Sequence, residues 1–264
     1  MNNTAIRNLF SLKNRVAIIT GGAGILGMEY AKTLFLSGAK VILFDIKENF
    51  TLPRNLKAKY IKVDISNKNE VDEAIKTVLR LYKKIDILIN NAALNPVPGS
   101  EQSKNLFLPY EQYPEDLWRK DLDVNITGSQ FCTQSVVPFM KKQKKGTIIN
   151  ISSIYGITGP DNRIYDAGKF KSIGYATTKG AMENFTRSWA SYLESTDIRV
   201  NTLTLGGVFA NQSEQFVKAY SSKTILGRMA KKDDFNCAIL FLASDASRYM
   251  TGSNLIIDGG WSAW

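Results

Sequence analysis

The 264-residue chain is 44% hydrophobic and 22% charged, a composition that fits one large α/β domain and excludes a disordered or coiled-coil protein. Lys and Arg outnumber Asp and Glu by 34 to 24, and histidine is absent. Without histidine, Ser-His-Asp and Cys-His catalysis and histidine-ligated zinc are excluded, which leaves Tyr, Lys, Asp and Glu as acid/base groups and points to no metal.

The first strand candidate, 15–20, is preceded by a segment with no apolar run of the signal-peptide kind. No stretch reaches the roughly 18–20 apolar residues of a membrane span, so a soluble, cytoplasmic protein without a membrane partner is expected. The strand runs directly into Thr20-Gly21-Gly22-Ala23-Gly24-Ile25-Leu26-Gly27, followed by a helical pattern through Ser37. Gly22 to Gly27 reads GxGxxG between a strand and a helix, where glycines permit a tight turn, close approach of a pyrophosphate and close helix packing. The next strand, 40–45, ends in Asp45, whose carboxylate suits an adenosine ribose 2′-hydroxyl and repels a 2′-phosphate. NAD is therefore expected over NADP, while Lys47 nearby leaves tolerance of a 2′-phosphate open.

Strand 60–64 ends in Asp64-Ile65, placed to reach the adenine, and strand 86–90 ends in Asn90-Asn91-Ala92-Ala93. A proline-rich connection over 96–114 is longer than a crossover needs, as binding loops often are. Helical patterns then carry Cys132 and end in Lys141-Lys142-Gln143-Lys144-Lys145, read as a solvated helix end. Cys132 and the later Cys237 both lie in apolar surroundings and are expected to be buried, reduced thiols. Strand 147–152 leads to Ser153, a turn-rich connection spans 156–174, and strands 199–205 and 254–258 complete the set. The runs VAIIT, VILFD, DILIN and TIIN are apolar through most of their length, as expected when both sheet faces are covered. Strands alternating with helices in this way imply a single doubly wound parallel α/β sheet of about seven strands with helices on both faces, in one domain over 1–264.

Tyr175-Ala-Thr-Thr-Lys179 is the candidate proton-transfer pair, since residues i and i+4 share a helix face. Bringing a phenol with a pKa near 10 into the neutral range takes about 4 kcal/mol of differential stabilisation, which an adjacent ammonium and an oxidised nicotinamide can supply. The composition predicts about one YxxxK by chance, and the chain has two, the other being Tyr165-Asp-Ala-Gly-Lys169. Only the first opens a helix-compatible run, with Met182, Phe185, Trp189 and Leu193 at helical spacing; the second contains Gly168 and is soon followed by Gly174. Tyr165 is assigned a substrate-loop role.

The glycine turn, Asp64, Asn90-Asn91-Ala92, Asn125 within Val124-Asn125-Ile126-Thr127-Gly128, Ser153, Tyr175/Lys179, Arg199-Val200-Asn201 and the ending through Asp258-Gly259-Gly260 together resemble the short-chain dehydrogenase/reductase family over essentially the whole chain. The resemblance implies a Rossmann-type NAD(P)-binding domain, with Tyr175 exchanging the proton, Lys179 lowering its pKa and bonding the nicotinamide ribose, Ser153 orienting the carbonyl and Asn125 holding a relay water. It also implies cofactor contacts from Gly21, Gly24, Ile25, Leu26, Gly27, Asp45, Asp64, Ile65, Asn91, Ala92, Tyr175, Lys179, Gly206 and Val208. Substrate loops are expected at 94–114, 156–174 and 206–226. Two departures stand out: Leu205-Gly206 replaces the family's Pro-Gly, and Ala210 replaces a threonine that positions the nicotinamide.

The implied activity is oxidation of a secondary alcohol or reduction of a ketone. The 156–174 loop, the Gly206 to Gln212 segment and the Trp261-Ser262-Ala263-Trp264 terminus resemble a subgroup associated with flagellin and surface-glycan modification, which points to a sugar or sugar phosphate. The net charge of +10 would favour an anionic substrate. Alternatives are a sugar epimerase or dehydratase using transient oxidation, because Gly24 matches the TGxxGxxG spacing of the family's larger sugar-nucleotide-modifying members and Ile25 stands where its short members place a glycine, and a non-catalytic dinucleotide sensor. No nucleic-acid recognition motif is present, and the resemblance implies a homotetramer or homodimer.

Overall fold

The computed structural model describes residues 3–95 and 106–264. Its strands are β1 (Val16–Thr20), β2 (Lys40–Asp45), β3 (Ala58–Lys62), β4 (Ile87–Asn90), β5 (Gly146–Ser153), β6 (Ile198–Leu205) and β7 (Asn254–Ile257). They form one parallel sheet in the order β3-β2-β1-β4-β5-β6-β7, the doubly wound architecture expected. The helices are α1 (Asn3–Phe10), α2 (Ile25–Leu36), α3 (Lys68–Tyr82), α4 (Glu115–Leu122), α5 (Gly128–Gln143), α6 (Ile173–Tyr192), α7 (Glu214–Ser221) and α8 (Asn236–Ala243).

β1, β4 and β5 are buried along their whole length. On one face Tyr30 and Leu34 of α2 and Ile239 and Leu242 of α8 pack on Ile19, Leu43, Ile89 and Ile149. On the other, Val71 and Ile75 of α3 and Cys132 and Val136 of α5 pack on Ile18, Phe44, Leu88 and Ile148. Each such side chain contributes about 1.5–3 kcal/mol over an exposed one, so an unbroken apolar run is what a strand covered on both faces requires. Asn67 sets the start of α3, its Oδ1 accepting from the Asn69 amide at 3.1 Å, and Lys83 ends it in the left-handed region at φ +65°.

Six strands match their expected spans to within a residue at either end. β3 is displaced two residues toward the N-terminus. It is the sheet edge, its residues are half-buried or exposed, and Lys57 and Lys59 disguise its start. Asp64 has already left it, because its Oδ1 accepts from the Ser66 amide at 2.9 Å and hydroxyl at 2.6 Å, closing the turn into α3. Cys132 is buried as expected, but Cys237 is exposed. The correction follows from the packing of α8, which turns Ala238, Ile239 and Leu242 inward and leaves Cys237 on the outer side. The basic cluster at 141–145 does end α5, with Lys145 paired to Asp245 at 2.9 Å.

Residues 96–105 of the first expected substrate loop lie outside the described residues. Among the described residues no helix is long and apolar enough to cross a membrane, and no cluster of His, Cys, Asp or Glu could hold a metal ion. The chain winds from β1 outward to β3 and then places β4 on the other side of β1. At that reversal the carboxyl ends of the strands diverge and open a crevice.

Candidate active site

The crevice is floored by the glycine turn. Gly21 has φ +62°, and a Cβ there would stand 2.8 Å from the Ala92 Cα; at Gly27 it would stand 2.3 Å from the Gly21 carbonyl oxygen. Gly24 is less constrained, at 3.2 Å from that oxygen, and forms the N-cap of α2 without a side-chain cap. The amides of Ile25, Leu26 and Gly27 therefore open α2 with the positive end of its dipole bare, as a pyrophosphate requires. Asp45 closes one side, Oδ2 accepting from the Ala23 amide at 2.9 Å, while Lys47 Nζ donates to the Ala23 carbonyl at 3.0 Å. Asn91 Nδ2 donates to the Thr20 and Gly21 carbonyls at 2.9 and 3.2 Å, and Thr20 Oγ1 accepts from the Asn91 and Ala92 amides at 3.0 Å. Asn91 thus locks β4 to the turn, with its side-chain amide committed to protein carbonyls.

The remaining expected cofactor residues follow the carboxyl ends of β3 and β6. Asp64 and Ile65 follow β3, and Ile65 is buried so close to α5 that a Cβ on Gly128 would meet its Cδ1 at 2.7 Å. Gly206 follows β6 and donates to the Ile257 carbonyl at 2.9 Å, and Val208 bridges to Ala230. A cavity lined by Gly206, Gly207, Tyr220 and Asp258 opens beside them. The Ala210 amide donates to Gln212 Oε1 at 2.7 Å. A backbone cradle that any Cβ would fill, an uncapped helix and a carboxylate at the end of β2 fit a dinucleotide.

β5 and α6 bring the candidate acid/base groups together. α6 starts where it does because Ser172 Oγ accepts from the Tyr175 amide at 3.1 Å, which places Tyr175 in the first turn and Lys179 one turn on. Ser153, the last residue of β5, stands beside the Tyr175 hydroxyl and favours its ionised form, its Oγ accepting from the Tyr155 amide at 3.3 Å. Lys179 Nζ donates to the Ile151 carbonyl at 2.7 Å and lies 5.6 Å from the Tyr175 ring centroid. Both groups are buried. Burial pushes the Tyr175 hydroxyl up to about 12, the neighbouring Ser153 opposing it, and pushes the Lys179 ammonium down to about 8.

Asn125 lies in a π-helical turn, Asp123–Thr127, between α4 and α5. Such bulges re-aim side chains out of the helical register. Here Asn125 Oδ1 accepts from the Leu94 amide at 2.8 Å and Nδ2 donates to Thr178 Oγ1 at 2.9 Å. Beneath α6, Asn90 Nδ2 donates to Asn150 Oδ1 at 2.8 Å and Asn150 Nδ2 to Thr186 Oγ1 at 2.8 Å, so a buried polar chain fixes the helix on the sheet.

The second YxxxK is not helical. Lys169 pairs with Asp166 at the exposed surface, whereas the Tyr165 hydroxyl is 3.1 Å from that of Tyr155 and its ring packs on Phe107 and Phe216 at 5.5 and 5.4 Å. Tyr165 belongs to the cluster of Ile154, Tyr155, Tyr175, Tyr220 and Trp261 that walls the crevice. Sequence reasoning missed Tyr155, Thr178 and Lys171. Lys171 is buried with its Nζ 4.2 Å from the Tyr175 ring centroid, nearer than Lys179. Its spacing of four residues before Tyr175 was the available signal, masked by the neighbouring Lys169 and by the helix start between them.

The family model described as enoyl-(acyl carrier protein) reductase matches residues 22–262. Post-translational flagellin modification protein A of Campylobacter coli is 31% identical over 261 residues, 95% of this chain and 99% of that protein. A short-chain dehydrogenase of Leptospira borgpetersenii with bound NAD+ superposes with a TM-score of 0.86 at 33% identity, covering 99% of this chain and 96% of that one. A gluconate 5-dehydrogenase of Burkholderia cenocepacia J2315 in complex with NADP and tartrate also gives a TM-score of 0.86, at 26% identity over 98% and 99% of the two chains.

Proposed function

The chain belongs to the short-chain dehydrogenase/reductase family and is an oxidoreductase of that family; from there we propose that it interconverts a secondary alcohol and a ketone with NAD, Tyr175 moving the proton. The observation that carries the reading is the meeting of three groups in one buried place. Ser153 stands beside the Tyr175 hydroxyl and favours its ionised form, and Lys179 is held beside the Tyr175 ring by the Ile151 carbonyl. When bound, the nicotinamide accepts or delivers the hydride. In oxidation Tyr175 takes the hydroxyl proton of the alcohol as the C–H hydride leaves; in reduction it returns that proton to the carbonyl oxygen. Ser153 donates to the same substrate oxygen and holds it against the phenol, and the Lys179 ammonium stabilises the phenolate. Asn125 bears on this step through Thr178, whose hydroxyl donates to the Tyr175 carbonyl at 2.9 Å, so we assign it a positioning role.

Asp45 supports NAD over NADP, as its carboxylate would repel a 2′-phosphate. The similarity to a flagellin modification protein and to a gluconate dehydrogenase supports a sugar-derived substrate. We further infer a cytoplasmic homo-oligomer, tetramer or dimer, joined through α6 and the C-terminal segment, where Tyr192, Ile256 and Trp264 stay exposed. Following NADH absorbance with a panel of ketoses, amino sugars, sugar acids and simple cyclic ketones tests the activity. Oxidation of NADH dependent on a carbonyl compound is expected; none with any carbonyl, and no reduction of NAD with the matching alcohols, would sink the reading.

A further inference from the structure

Among the described residues, Lys171 is the one buried cation at the site that the proton-transfer scheme leaves without a task. It is 6% exposed, and its Nζ donates to Asn95 Oδ1 at 2.6 Å. Around it stand the rings of Tyr175 at 4.2 Å, Tyr155 at 5.7 Å and Phe107 at 5.8 Å. An ammonium has three donors and no acceptor, and here a single amide oxygen answers them among the described residues. Aromatic faces attract a cation but supply no counter-charge.

The surroundings make the charge harder to keep. Lys171 directly precedes Ser172, the N-cap of α6, so it stands at the positive end of a 20-residue helix, where the dipole disfavours a cation. Lys179, a second buried ammonium, lies 5.6 Å from the centroid of the same tyrosine ring. The neighbouring carboxylate, Asp121 of α4, favours the Lys171 charge from a distance: its Oδ2 accepts from the Tyr113 hydroxyl at 2.7 Å, its buried Oδ1 has no hydrogen-bond partner, and no ion pair joins it to Lys171 among the described residues. Burial accordingly holds Lys171 down to about 7. A lysine maintained against desolvation, a helix dipole and a like charge, with the Asp121 carboxylate near it but not paired to it, has donors left for an arriving anion beside the group that meets the reacting oxygen.

We propose that Lys171 receives an oxyanion, a carboxylate or a phosphate, carried by the substrate close to the reacting carbon. This rests on the dehydrogenase reading of the same crevice. Asn95 is exposed, so an arriving anion exchanges one hydrogen bond to a solvent-facing amide for a charge-assisted bond to the ammonium. Tyr155 and Phe107 would flank it and exclude water, while the carbonyl or hydroxyl oxygen of the same molecule meets Tyr175 and Ser153. The inference narrows the substrate to anionic hydroxy and keto compounds, and it assigns specificity to a residue outside the Ser153, Tyr175 and Lys179 group.

Isothermal titration calorimetry of the full chain, first with NADH and then of the NADH complex with malonate, inorganic phosphate and neutral malonamide, tests this. At least one of the two anions is expected to bind tenfold or more tightly than malonamide, and which one does identifies a carboxylate or a phosphate site. Lys171→Met should erase that preference and Lys171→Arg should retain part of it. If NADH binds while neither anion outcompetes malonamide in the wild-type protein, the inference is wrong and the dehydrogenase reading stands. Anion preference that survives in Lys171→Met likewise overturns it. Absence of NADH binding instead removes the underlying reading, and the inference with it.

Discussion

The Lys179 ammonium donates to the Ile151 carbonyl at 2.7 Å, so the cation beside Tyr175 is anchored to the central sheet and is not free to swing on its own helix. Lys179→Met should therefore lower kcat by about 10²–10³-fold. Lys179→Arg should recover little of it, because a planar guanidinium cannot reproduce a point charge between a strand carbonyl and a ring. Steady-state kinetics on both variants checks this; near wild-type turnover in Lys179→Met would remove the lysine from the mechanism.

Tyr175→Phe deletes the proton carrier and leaves the ring packing. Turnover should fall by at least about 10³-fold while NADH affinity changes by less than about threefold, as the difference between chemistry and binding demands. Tyr165→Phe, which loses only the contact with the Tyr155 hydroxyl, should stay within about tenfold of wild type. Equal losses in the two variants would contradict the assignment.

Asp45→Ala should abolish any preference for NADH over NADPH, measured as the ratio of their dissociation constants. Because Asp45 also accepts from the Ala23 amide at 2.9 Å, the variant should lose about 1 kcal/mol of stability as well. Equal affinities in the wild-type protein would leave Asp45 a structural role only.

Gly174 faces Asp121 so closely that a Cβ would stand 2.0 Å from its Oδ2. Gly174→Ala adds a better helix former and should nonetheless destabilise the protein by about 1–3 kcal/mol, since the intruding methyl displaces a buried carboxylate and the start of α6. Thermal denaturation decides; an unchanged or raised Tm would show that α4 and α6 give way easily.

Lys171 is held down to about 7 by burial, the Asp121 carboxylate opposing this and Lys179 adding to it, with Tyr155, Tyr175 and Phe107 packed around the Nζ. An unfolded lysine titrates near 10.4, so between these values the unfolded chain binds more protons and stability rises with pH. Below about 7 both states carry the proton and the cost of burying the charge is fully felt. Lys171→Met removes the effect, so its stability advantage over wild type should be largest near pH 6 and shrink toward pH 9, by at most about 1.4 kcal/mol per pH unit. A difference constant across that range would mean that solvent reaches the ammonium.

The parts legible in the sequence are those whose physics is local. A strand covered on both faces must be apolar throughout, so β1, β4 and β5 announced themselves, and a turn that cannot hold a Cβ must be glycine, as at Gly21 and Gly27. β3 was misplaced by two residues because an edge strand is only half apolar, and Cys237 was misassigned because which side of α8 faces the sheet depends on strands far away in the chain. Lys171 was invisible for a related reason. Its burial is created by Phe107, 64 residues earlier, and by Tyr155, and neither leaves a mark in the residues around it.

The last three residues of β5 each hold α6 at a different point: the Ile151 carbonyl takes the Lys179 ammonium, the Ser152 hydroxyl donates to the Lys179 carbonyl at 2.9 Å, and Ser153 meets Tyr175. The proposed proton-handling groups are thereby mounted on a strand buried along its whole length and paired on both sides. Lys171, Tyr165 and Phe107 instead ride on the connecting segments around it. If Lys171 takes the substrate's anion as proposed, the chain divides into a fixed chemical anvil and an exchangeable grip, and a change of client molecule would need the grip alone to be altered, with no retuning of the step that moves the proton.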